Sequence, residues 1–224
     1  MIFEFFRGGT DRTLEDIEAT IVEMVLTSRH TFDLAINAVI GGTDPAVVGE
    51  EIRSSDRSVN KAERRVRREL VVHTSIRGQH ADLPRVLVAM SIIKDAERIG
   101  DYAKNIWDLA NAGVDLSRAL DIADLLALRD RTSQSLADCA RAYRERDRDA
   151  VHAMIPQLDG WLDEYDAMIL GQMESTATPR DAVSRALLFR YLKRITAHAI
   201  NLITSLVMPV HRLDYYDEKK ADRD

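Results

Sequence analysis

The sequence predicts an all-α protein made of two tandem three-helix bundle repeats, six long helices in all, and three observations carry that reading. Glycine and proline fall at wide intervals, and apolar residues between them recur with a helical period rather than a strand period. The segment Asp44-x3-Val48-x3-Ile52-x3-Asp56 returns as Asp147-x3-Val151-x3-Ile155-x3-Asp159. Glu97 to Asn105 aligns with Lys193 to Asn201, keeping Arg, Ile, Ala and Asn in register. Together they predict a first repeat over 13–113, a second over 117–209 and a tail over 210–224.

Each element follows from its end signals. Helix 1 is expected to start after Thr13, where Thr13-x-x-Asp16 resembles a capping box, and to stop at Gly41-Gly42. Helix 2 opens on Asp44-Pro45, an N-cap with proline at the first helical position, and runs to about Thr74, with Gly78 marking the turn. Helix 3 takes Pro84 into its first turn and stops at Gly113. Helix 4 spans Ser117 to about Arg146. Helix 5 runs from near Asp147 to before Ser175, with Pro156 expected to kink it or delay its start. Helix 6 opens on Thr178-Pro179-x-Asp181 and stops near Pro209, and the tail from Asp217 is expected to fray.

Composition bounds the function. Of 224 residues, 46% are hydrophobic and 30% charged, as in a folded globular chain. No apolar run reaches the roughly 18 to 20 residues of a membrane span, and the start, Met1 to Arg7, is too short and acidic for a signal peptide, so a cytoplasmic location is expected. A net charge of −6 argues against nucleic-acid binding, which needs a basic surface. The single cysteine, Cys139, excludes an internal disulfide and is expected to be a buried, inert thiol.

The chemistry concentrates on helices 2 and 3. Leu83, Met90 and Glu97 follow one another by seven, so they share a stripe, and Asp101 lies one turn beyond Glu97. Two carboxylates thus continue an apolar face, which is costly unless a basic side chain or a metal cation pairs with them. Helix 2 offers Asp56, Asn60 and Glu63 at i, i+4, i+7. Oxygen ligands from two helices would suit a divalent or trivalent ion such as magnesium, manganese or iron, with zinc more often recruiting His or Cys. The competing reading is a solvated edge on which Glu97 and Asp101 pair with Arg98, Lys94 or Lys104.

Glu97-Arg98-Ile99-Gly100-Asp101-Tyr102-Ala103-x-Asn105-Ile106 resembles the signature helix of the PhoU family, regulators of phosphate uptake with two three-helix repeats, each carrying an E/D-x3-D motif. The resemblance extends from about Leu14 to Leu213. It implies Glu97 and Asp101 as ligands of a metal cluster, with Asp56 and Glu63 nearby. It implies a regulator without catalytic turnover, whose partners are a phosphate transporter's ATPase subunit, a phosphate-sensing histidine kinase or a sodium/phosphate symporter. A homodimer, with peripheral membrane association through the partner, follows from the same resemblance. The alternative is an all-α metal-dependent phosphohydrolase using the same carboxylates.

The second repeat departs from the pattern, because Lys193 and Ala197 stand where the first has Glu97 and Asp101. Asp159, Asp163 and Asp166 remain on helix 5, so the ammonium of Lys193 is expected to replace the missing cation as an ion pair, with His198 as an alternative ligand beside Asp159 and Asp163. Finally, Arg53, Arg57, Lys61, Arg64 and Arg68 fall within about 80° of one face of helix 2. They form either a solvated face neutralised by Glu69 and its neighbours or a docking surface for an acidic partner or the membrane. Phe3, Phe5 and Phe6 offer either a partner contact or packing under helix 1.

Overall fold

A computed structural model describes the backbone of residues 2–217 and the side chains of residues 12–216 except 79. Phe3, Phe5 and Phe6 lie outside the described side chains. Six long helices, α1 (Ile2–Ile40), α2 (Pro45–Arg77), α3 (Leu83–Asn111), α4 (Ile122–Glu145), α5 (Arg148–Met173) and α6 (Pro179–Thr204), are joined by turns and short 3₁₀ segments. No strand occurs among the described residues.

Four starts follow from local chemistry. Asp44 accepts from the Ala46 N–H at 2.8 Å, and Asp147 from the Ala150 N–H at 3.0 Å. Asp82 accepts from the Arg85 N–H, and Thr178 from the Asp181 N–H. Gly78 and Gly113, with φ of 52° and 84°, take the positive-φ conformation that closes α2 and α3.

Three boundaries differ from expectation, and one expected delay does not occur. α1 continues N-terminal of Thr13 to Ile2, and among the described side chains Leu14 is its first core residue. α4 begins at Ile122 rather than Ser117, because the Asp115 carboxylate takes the Ser117 N–H at 2.9 Å and the buried Leu116 donates its N–H to Val39 at 2.8 Å, pinning an irregular connection. Pro156 does not delay α5, which starts at Arg148: the carbonyl it leaves without an amide partner belongs to His152, on the exposed side where water can serve it. α6 stops at Thr204, because Pro209 disfavours helix in the residue before it and residues 205–208 close as turns.

α1, α2 and α3 pack on one another, α6 packs on α5 and α4, and the two groups meet along α1–α4 and α3–α6. One connected core runs through both. α1 and α3 approach closely at Gly100, where an added Cβ would stand 2.9 Å from Ser28 Oγ. α2 and α5 flank this arrangement, so the acidic positions of each repeat lie where α2 meets α3 and α5 meets α6.

Candidate functional site

The acidic stripe forms where α2 meets α3, but lysines are interleaved with it. Glu97 is buried, and its Oε2 pairs with Lys94 Nζ at 2.6 Å. Lys94 also lies 3.9 Å from Glu63, whose carboxylate meets Arg67 at 3.1 Å. At the other end Lys104 donates to Asp56 at 3.3 Å. Asp101 is half-buried between them. Burial, then the neighbouring Glu97 and Asp56 carboxylates, push its carboxyl above the usual carboxylate range, against the pull of Lys94 and Lys104.

The structure therefore brings Asp56, Glu63, Glu97 and Asp101 to one surface, as expected, and also realises part of the competing reading, in which lysines of α3 neutralise them. Four carboxylates on one surface, with the half-buried Asp101 among them, have the donor chemistry of a hard cation. Their positions do not make a ligand shell: among the described residues, no group of three or more His, Cys, Asp or Glu side chains is gathered for a metal ion. The fit is one of chemistry and not of geometry while Lys94 and Lys104 stand between the acids.

In the second repeat Lys193 Nζ meets Asp166 at 2.5 Å, the ion pair expected from the lost motif. Asp163 and Asp166 are exposed and Asp159 is partly buried. His198 joins none of them. It is fully buried, with Nδ1 2.8 Å from Asp95 Oδ1 and Nε2 3.1 Å from an Arg194 guanidinium nitrogen, and its ring stacks on Tyr102 at 5.7 Å. The reason is helical register: a residue five beyond Lys193 lies on a different face, turned to α3 instead of α5. Guanidinium only donates, so Nε2 accepts and Nδ1 carries the proton toward the carboxylate.

Asp95, which sequence reasoning passed over, anchors this network. It is 5% exposed and also accepts from Asn201 Nδ2 at 3.2 Å. A signal existed: Asp95 falls in the apolar stripe Ile92, Ile99, Tyr102 and Ile106, where a lone carboxylate needs a partner. Because Asp95 meets His198 and Asn201 while Tyr102 meets Tyr191, α3 and α6 run antiparallel along the seam.

The basic face of α2 splits in two. Arg57 donates to Glu50 at 2.8 Å, and Arg53 stacks over Trp107 at 4.8 Å beside the same Glu50. Lys61, Arg64 and Arg68 instead edge a groove between α1 and α2. Cys139 is buried and free, and burial pushes its thiol pKa up, in keeping with an inert thiol.

Six helices in two related groups of three, with an acidic stripe on the first, define a tandem three-helix bundle. The PhoU domain model matches residues 21–110. The chain is 25% identical over 203 residues to the phosphate-specific transport system accessory protein PhoU homolog of Xylella fastidiosa strain Temecula1, covering 88% of this chain and 83% of that protein. The corresponding protein of strain 9a5c is also 25% identical over 203 residues, with 88% of this chain and 84% of that protein covered. Among solved structures, PhoU from Pseudomonas aeruginosa superposes with a TM-score of 0.74 at 22% identity, over 88% of this chain and 96% of that one. The phosphate transport system regulatory protein PhoU from Streptococcus pneumoniae superposes with a TM-score of 0.75 at 20% identity, over 96% and 99%. A PhoU domain thus matches the first repeat, and the chain as a whole is similar in sequence and fold to PhoU proteins, the family that the signature of α3 resembles.

Proposed function

We propose that this chain regulates inorganic phosphate uptake or phosphate signalling from the cytoplasm, by binding protein partners and without catalytic turnover. The observation that carries the reading is its likeness, over 88% of its length, to proteins named as accessories of the phosphate-specific transport system. The expected partners are a transporter ATPase subunit, a phosphate-sensing histidine kinase or a sodium/phosphate symporter. Homodimerisation and peripheral membrane association through the partner belong to the same proposal. No helix among the described residues is long and apolar enough to cross a membrane, which accords with contact through a partner. The phosphohydrolase alternative rests on the same carboxylates and gains no observation of its own.

Under this reading the acidic stripe is a cation-responsive patch, with Glu97, Asp101, Asp56 and Glu63 as the residues that would hold a divalent or trivalent ion. Such an ion would supply positive charge to the half-buried Asp101, whose carboxyl is pushed up by burial and by the Glu97 and Asp56 carboxylates. Titration with manganese, iron or magnesium, followed by calorimetry, is expected to give binding near one equivalent that Glu97→Gln abolishes. Unchanged binding in that variant would place the ion elsewhere.

The regulatory reading is tested by deleting the gene and measuring labelled phosphate uptake in replete and starved cells. The difference between the two conditions is expected to collapse in the deletion and return on complementation. An unaltered response would overturn the reading.

A further inference from the structure

The groove between α1 and α2 is a site that the acidic stripe does not use. The two helices run antiparallel, since Arg65 reaches Thr20 at one level and His30 reaches Glu51 at another. On the face away from α3, small side chains at Ala19, Ser58 and Ala62 leave a furrow of about 720 Å³ floored by Met24 and Val59. On α2 it spans residues 58–68, about 15 Å or three turns at the helical rise.

Its two walls differ in charge. The α2 wall presents Lys61, Arg64, Arg65 and Arg68, while the α1 wall presents Thr20, Thr27 and a single acid, Glu23. Arg65 is occupied, donating to Thr20 at 3.1 Å and pairing with Glu69 at 3.7 Å. Glu69 is thus committed to Arg65, and among the described residues Lys61, Arg64 and Arg68 have no ion-pair partner. Three exposed, unpaired cations along a small-residue furrow are unusual in a chain of net charge −6, where acids are in excess. Arg53 and Arg57 on the same helix do find one in Glu50.

We propose that this groove docks an acidic amphipathic helix of a partner protein, with the acidic face on Lys61, Arg64 and Arg68 and the apolar face over the furrow. Charge complementarity selects the acids, and the accessible methyl groups of Ala19 and Ala62 along the furrow favour a helix with an apolar face over a bare polyanion, which would leave them unused. The inference rests on the reading of this chain as a protein-binding regulator and supplies the surface on which binding occurs. Its experiment requires no transport component, so a failure here is distinct from a failure of the uptake assay.

The test uses the full chain and a fluorescent designed helix of about four turns, leucine on one face and glutamate on the other. Anisotropy measures binding, and hydrogen exchange locates it. The acidic amphipathic peptide is expected to bind and to protect residues of α1 and α2. A scrambled peptide of the same composition and a lysine-for-glutamate version should each bind at least tenfold more weakly. The variant K61E/R64E/R68E should lose at least tenfold in affinity at unchanged melting temperature, since all three side chains are exposed. The variant R53E/R57E, on the same helix but outside the groove, should bind as the native chain does. Absence of binding, equal binding to the scrambled peptide, or equal loss in both variants would overturn the proposal. So would retention of peptide affinity in K61E/R64E/R68E alongside loss of binding to phosphatidylglycerol vesicles, which would assign the groove to a lipid surface.

Discussion

Lys94 decides how the acidic stripe behaves, because one ammonium serves both Glu97 and Glu63, while at Asp101 beside them burial and the Glu97 and Asp56 carboxylates outweigh the pull of Lys94 and Lys104. A carboxyl whose folded pKa is raised binds its proton more tightly when folded. Its contribution to stability is therefore present below the unfolded pKa and is lost as pH rises through the folded one. Asp101→Asn is accordingly expected to raise the melting temperature at neutral pH in metal-free buffer, the gain disappearing as pH falls below the ordinary carboxylate range. Thermal melts from pH 3 to 8 check this, and a gain independent of pH would mean that the carboxylate's charge is not the cause. The acids of this stripe were legible in the sequence, because seven- and four-residue spacings fix a helix face. Their partners were not: an ExxxD pattern flanked by lysines is equally compatible with a cation site and an ion-paired edge, and side-chain reach alone separates the two. His198 was misplaced for a related reason, since its face could be read but not the helix opposite.

At the scale of elements, the interface of α3 and α6 carries a buried polar chain, Asp95 to His198 to Arg194, with Asn201 alongside. Removing its acceptor leaves His198 Nδ1–H and one Asn201 amide hydrogen without partners in a dry seam. Asp95→Ala is therefore expected to cost about 3 kcal/mol, since each orphaned donor costs about 1 to 3. Asp95→Asn, which keeps an oxygen at the acceptor position, should cost less than half as much. Urea denaturation measures both, and equal losses would show that the acceptor oxygen does not carry the effect. Helix existence was legible throughout, and N-caps at Asp44, Asp147 and Thr178 fell where the residue types placed them. What escaped were features set by solvent or by local competition. Pro156 survives inside α5 because the face it disrupts is wet, and Asp115 spends its carboxylate on a turn that postpones α4.

Across the whole molecule, duplication has been kept in the backbone and abandoned in the charge. Lys193 stands at the position of Glu97, so the first repeat presents acids with lysines between them, and the second presents a lysine that pairs with Asp166. The duplication was visible in the sequence because it is written in apolar and capping positions. The seam between the halves was not, because nothing local states that Tyr102 will meet Tyr191 and His198. The two outer faces therefore differ, one an acidic stripe and the other a neutralised edge, with the basic furrow of α1 and α2 beside the first. A molecule so arranged is suited to contacting different surfaces on its different faces, which accords with a regulator that acts by assembly.

That central claim is met most directly by crosslinking the tagged protein in its native cells, under phosphate-replete and phosphate-starved conditions, and identifying what is covalently joined to it by mass spectrometry. The account predicts recovery of a phosphate transporter subunit or a phosphate-sensing kinase, in amounts that change between the two conditions. Recovery of neither in both conditions, from cells shown to contain them, would contradict it.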